Sequence, residues 1–178
     1  MSSIGREYLD VVINQLEALK KRAEEAFIQL SDEELHWKPS SESNNIAILI
    51  QHLSGNMNSR WLSFLTTDGE KTTRDRDKEF IDHSSTRESL MEQWNAGWKL
   101  LLETMKILKE DDLQRIVTLR NNPKSVLAAI QIEIAHISNH IGQILYIGKQ
   151  IKDSEWIILS IPKNGSKEYN LKVSAKER

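Results

Sequence analysis

The chain has 178 residues, 39% hydrophobic and 28% charged, which is the balance of one globular domain and excludes the polar, highly charged composition of chains that stay unfolded. Its 24 Lys and Arg against 26 Asp and Glu give a net charge of −2, and the absence of a long run of either sign excludes a basic footprint for nucleic acid. There is no Cys, so disulfides, zinc ribbons and a protein thiol nucleophile are excluded, and any metal must be held by His and carboxylates.

Apolar stretches such as 46–50 fall far short of the roughly 20 residues that a bilayer span needs. Charge at Arg6, Glu7 and Asp10 interrupts any apolar region of signal-peptide type. The expectation is a soluble cytoplasmic chain, 1–178, folded as a single all-α domain.

The first element is a long amphipathic helix from Ile4 to about Leu30, where apolar residues recur at three- and four-residue spacing. Ser31-Asp32-Glu33-Glu34 has capping-box form, and Pro39 limits the helix it opens to about one turn before a loop over 40–45. A second helix is expected from near Asn44 to about Leu65, with His52 in its middle. The 66–85 connection after it is polar and has only Phe80 and Ile81 as apolar anchors. A connection of that length in a small domain is functional or disordered, and its charge suggests a cover for the site and a selector of substrate.

A third helix is capped by Ser85 or Thr86 and runs to about Lys109, with Trp94 and Trp98 at core spacing. Residues 116–120 read as a short strand or an extended strap, and the expectation stops short of a sheet. The fourth helix opens after Pro123 and reaches about Ile151 on a continuous apolar face. Four helices of comparable length predict a four-helix bundle. The tail, 152–178, carries an apolar segment from Trp156 to Pro162 that is expected to pack on the bundle, and then a polar end expected to fray.

His136 and His140 lie four apart, so their imidazoles leave one helix face about one turn apart. His52 can point inward at mid-bundle and supply a third imidazole. Three His with an open coordination position are the donor set of a catalytic centre for one divalent metal ion. Singly, each is more simply read as a satisfied core or surface histidine. The strip Ala129, Glu133, His136, His140, Gln143, Ile147 changes that balance, because polar groups beside an apolar face are costly to bury unsatisfied.

Glu133 is a further ligand, an orienting partner for an imidazole N–H, or a base, with a plain surface carboxylate as the simple alternative. Asn56 and Gln143 are read first as ordinary helix polar residues and second as holders of water or substrate. His136-Ile-Ser-Asn-His140 lacks the Glu of the zincin pattern. Glu133-Ile-Ala-His136 and Glu33-Glu-Leu-His36 match the Glu-x-x-His element of di-iron bundles, but the second copy sits in a short turn before Pro39. His36 is expected to pack at the bundle edge and His83 to be solvated, while Trp61, Trp94 and Trp98 are expected in the core.

Gln51-His52-Leu53-Ser54-Gly55-Asn56 together with His136-Ile-Ser-Asn-His140-Ile-Gly142-Gln143-Ile resembles the DinB/YfiT-like superfamily. Segments 66–71, 74–80 and 159–163 are similar to an uncharacterised bacterial branch of it, and the likeness covers nearly the whole chain. It implies an up-and-down four-helix bundle, commonly a homodimer, with nickel or zinc on three His matching His52, His136 and His140. It further implies use of a low-molecular-weight thiol such as bacillithiol or mycothiol. The expectation for function is therefore a metal-dependent small-thiol S-transferase, with a hydrolase next. A non-catalytic, metal-stabilised dimeric binding or stress protein is the alternative from a different class.

Overall fold

The computed structural model describes residues 3–176. Among the described residues there are six helices and a two-stranded sheet: α1 (Ile4–Phe27), α2 (Asp32–Leu35), α3 (Ile46–Trp61), α4 (Arg87–Ile107), β1 (Ile116–Leu119), β2 (Asn122–Ser125), α5 (Val126–Lys152) and α6 (Ser166–Lys176). The fold is mostly helical. The long helices close a ring in which α1 packs on α4 and α5, and α3 packs on α4 and α5. One core fills it, including Leu16, Phe27, Leu53, Met57 and Ile137, with Trp61, Trp94 and Trp98 at most 1% exposed. Burying such side chains stabilises by roughly 1.5–3 kcal/mol each for the aliphatics and Phe.

Each long helix begins on a side-chain cap. Ser3, Asn45, Thr86 and Ser125 accept from the backbone N–H three residues on, which satisfies donors that the first turn leaves unpaired. The capping box at Ser31 is complete, with Ser31 N donating to Glu34 at 2.7 Å and Glu34 N to Ser31 Oγ at 3.3 Å. Helix ends fall short of the periodicity: α1 stops at Phe27 rather than Leu30, and α3 at Trp61 rather than Leu65. After α3 the backbone turns through Leu62 and through Ser63 at φ 52°, where Phe64 remains buried as a loop residue.

The strand or strap expected at 116–120 stopped short of a sheet, yet β1 and β2 pair antiparallel in the register Ile116↔Ser125 to Leu119↔Asn122. Arg120 and Asn121 make the two-residue turn, both with positive φ, 54° and 59°, as the twist of a tight hairpin requires. Asp68 supports it by accepting both backbone N–H groups at 2.9 and 2.8 Å. That carboxylate sits in the 66–85 connection, so the signal for the hairpin is remote in sequence.

The tail is anchored where Trp156 packs on Gly148; a Cβ there would come within 2.9 Å of the indole. Gln29 then brackets Ile157 with two hydrogen bonds to its backbone. The end expected to fray forms α6, exposed over 166–173. No helix among the described residues is long and apolar enough to cross a membrane.

Candidate metal centre

Helix α3 is enclosed by α4, α5 and the 66–85 connection, and 13 of its 16 residues are buried. His52, near the middle of this helix, is therefore held inside at 3% exposure. His136 and His140 reach it from one face of α5. The three ring centroids are 4.7–5.1 Å apart and the rings meet at 76–87°. His52 Nε2 and His136 Nε2 are 3.0 Å apart, and one nitrogen from each of the three rings lies within 4.8 Å of the others.

Two neighbouring contacts aim these nitrogens. His52 donates from Nδ1 to Glu79 Oε2 at 2.9 Å, and His140 donates from Nδ1 to Gln143 Oε1 at 2.9 Å. Both bonds fix the tautomer that leaves Nε2 as a lone pair, as outer hydrogen-bond acceptors do for metal-binding imidazoles. His136 Nδ1 is buried with no partner among the described residues. Lone-pair nitrogens 3.0 Å apart repel unless a proton or a cation lies between them, and that spacing matches two imidazoles on one ion at roughly 2.0–2.1 Å.

The electrostatics favour the neutral, ligating form. Burial depresses His136 from its usual 6.5 to about 3, aided by His140 and His52 and by the positive field of Arg60 and Arg74. Burial likewise lowers His140, against the opposing hydrogen bond of Gln143. The donor set of three imidazoles could hold one metal ion, and does not suit calcium or magnesium, which take oxygen ligands.

Glu133 is 1% exposed and stands outside the cluster. Its Oε2 accepts from Arg60 Nη1 at 2.5 Å, and the Asn56 amide, turned to donate, lies 3.0 and 3.1 Å from its two oxygens. Burial pushes this carboxyl above its ordinary range, against the pull of Arg60. The other Glu-x-x-His copy does not reach the cluster: His36 contacts Asp82 at 2.9 Å and Ser85 O at 3.1 Å, and Glu33 binds Ser31. His83 is exposed.

Sequence reasoning missed four groups. Glu79 orients His52, and Arg74 grips Glu79 through Nε at 2.7 Å and Nη2 at 2.8 Å. Burial alone would raise the Glu79 carboxyl, but Arg74 and His52 hold it below its usual range. Phe80 lies on the His52 ring, with centroids 4.6 Å apart. The fourth, Arg60, had a readable signal: His52, Asn56 and Arg60 form a polar stripe at four-residue spacing in an otherwise apolar helix. Glu79, Arg74 and Phe80 had none beyond the charge and length of their connection. They set the connection against His52.

Comparison with known proteins adds a family-level finding. The model of the family described as "Protein of unknown function (DUF1572)" matches residues 3–165, a span that holds the four long helices, the hairpin and all three His. No curated protein matches the chain.

Proposed function

The chain belongs to the family described as "Protein of unknown function (DUF1572)", and from that premise we propose that it is a DinB/YfiT-like four-helix bundle acting as a metal-dependent enzyme that transfers a small thiol, of bacillithiol type, to an electrophile. Hydrolysis is the second reaction of this reading. The observation that carries it is the convergence of His52, His136 and His140 on one point, within 4.8 Å of one another, beneath a cavity of about 500 Å³.

His52, His136 and His140 would hold nickel or zinc, and such an ion, once bound, supplies the positive charge that favours a thiolate over a thiol. The protein's own groups do the rest. Glu79 and Gln143 keep two imidazoles in the ligating tautomer. Phe80 covers one flank of His52 and limits water there. The open cavity lets the thiol proton pass to solvent, since Glu133 is occupied by Arg60 and Asn56 and serves to position Arg60 and the floor of the site. A homodimer completes this reading and rests on the family resemblance, and a cytoplasmic location rests on the charge pattern of the sequence.

A second reading has one specific observation in its favour. The one carboxylate lining the cavity, Glu70, is tied to Arg120 at 3.1 Å and Arg74 at 3.3 Å, so no lining carboxylate is free for proton transfer. A non-catalytic, metal-stabilised binding protein would look like this.

Elemental analysis of the purified protein tests the shared premise: one equivalent of nickel or zinc per chain, lost in His52→Ala, His136→Ala and His140→Ala. Conjugation of a small thiol to electrophiles, and ester and amide hydrolysis, then separate the two readings. Metal-dependent turnover supports the enzyme. No turnover, with a large loss of melting temperature on chelation, supports the binding protein.

A further inference from the structure

The cavity above the three imidazoles carries more positive charge than its neighbours neutralise. Arg60, Arg76, Arg120 and Lys124 line it, against the single carboxylate of Glu70. Arg60 is paired with Glu133 at 2.5 Å and Arg120 with Glu70 at 3.1 Å. Arg76 and Lys124 have no ion pair among the described residues. The excess is local, because the whole chain carries −2.

The two unpaired cations come from two different segments that line the cavity. Arg76 sits over the Phe80 ring, its guanidinium carbon 4.7 Å from the centroid, and Phe80 in turn rests on His52. Stacking of this kind fixes the guanidinium plane while leaving its edge donors for an anion. Lys124 is in β2, paired with Val117, and the hairpin is bound to the connection by Gly69 N donating to Thr118 O at 2.8 Å and by Asp68. Arg76 and Lys124 therefore belong to segments that are tied to each other by hydrogen bonds, and both line the one cavity.

We propose that Arg76 and Lys124 form an anion subsite at the mouth of the histidine cavity, selecting a small molecule that carries a carboxylate or phosphate besides the group that reaches the imidazoles. That the latter group is a thiol rests on the reading given under Proposed function; the subsite does not. The two segments that supply the cations, the connection and the hairpin, both lie outside the long helices.

Calorimetric titration of the nickel-loaded protein with 2-mercaptoethanol, mercaptosuccinate, succinate and inorganic phosphate tests this. Mercaptosuccinate is expected to bind roughly 10- to 100-fold more tightly than 2-mercaptoethanol, from charge-assisted hydrogen bonds, and its advantage should shrink as salt is raised. Arg76→Gln with Lys124→Gln should erase that advantage and leave 2-mercaptoethanol unchanged. Lys124→Glu alone, which leaves the Arg76–Phe80 stack intact, should reverse it. Succinate against phosphate as competitors tells which anion the subsite takes. Equal affinity for the two thiols, or an advantage that survives both variants, overturns the subsite while the thiol reading stands. Binding of succinate or phosphate that the variants abolish, with no thiol binding, keeps the subsite and overturns the thiol reading.

Discussion

His52 donates from Nδ1 to Glu79 Oε2 at 2.9 Å, a bond that joins a buried helical imidazole to a carboxylate 27 residues away in a connection without regular structure other than one short turn. The bond fixes which nitrogen of His52 faces its two partners. Loss of such an orienting acceptor typically costs 10–100-fold in metal affinity. Glu79→Ala is therefore expected to weaken metal binding by about that factor, measured by competition with a chelating dye, and Glu79→Gln, which keeps an acceptor oxygen, by less. Unchanged affinity in Glu79→Ala would sink the orienting role.

Gly55 gives an independent handle on the same contact. A Cβ at this position would lie within 2.7 Å of the Glu79 carboxyl carbon, and Arg74 and His52 leave that carboxylate little room to move. Gly55→Ala should push it off His52 and reproduce the metal defect of Glu79→Ala. Helicity should hold or rise slightly, since Ala is the better helix former by about 1 kcal/mol. Wild-type metal affinity in Gly55→Ala would show that Glu79 has slack the contact distances do not suggest.

Much of this was legible in the sequence because helices advertise themselves locally. The spacing of Val12, Leu16, Ala23 and Phe27, and of Ile130, Ile134, Ile137 and Ile141, marks faces that are indeed buried, although Ile4 and Val11 of the same periodicity are exposed, and the four-residue step from His136 to His140 is a property of any helix. That His52 joins them agrees with its place in a helix apolar on nearly every side. The hairpin was not legible, since its turn depends on Asp68, some fifty residues earlier, accepting from Arg120 and Asn121. Nor were Glu79 and Arg74, whose roles arise from how an irregular segment folds over α3; no periodicity encodes that.

The buried pair Arg60–Glu133 predicts an asymmetric response to mutation. Taking charges out of water is repaid only while both partners remain. Glu133→Ala leaves Arg60 and the Asn56 amide without their acceptor, and is expected to cost about 3 kcal/mol, the lower part of the range for a broken buried pair, because the Arg60 side chain keeps 14% exposure. The double variant Arg60→Met, Glu133→Leu should recover most of that loss. Urea denaturation reads both, and equal destabilisation of single and double variants would contradict the account.

Acid should destabilise the metal-free protein over a defined range. In the unfolded chain a histidine titrates near 6.5, whereas burial holds His136 at about 3 in the fold. Between those values the unfolded state binds the extra proton, so stability falls as pH drops below 6.5, by up to about 1.4 kcal/mol per unit for this group. Above 6.5 it contributes no slope. Glu79 and Asp82 act lower: burial opposes their ionisation, but Arg74 and His52 for Glu79, and Ser84 N–H, His36 and Asn45 for Asp82, hold both below the ordinary range. Their contribution is present above about pH 4 and is lost as pH falls through their folded-state values. Bound metal should steepen the upper limb, because protons compete for the same lone pairs. Urea midpoints from pH 7.5 to 4.5, with and without chelator, should show a decline beginning near 6.5 that is shallower in His136→Gln. A flat profile between pH 6.5 and 5 in the metal-free wild type would mean that His136 is more solvated than its place between α3 and α5 allows.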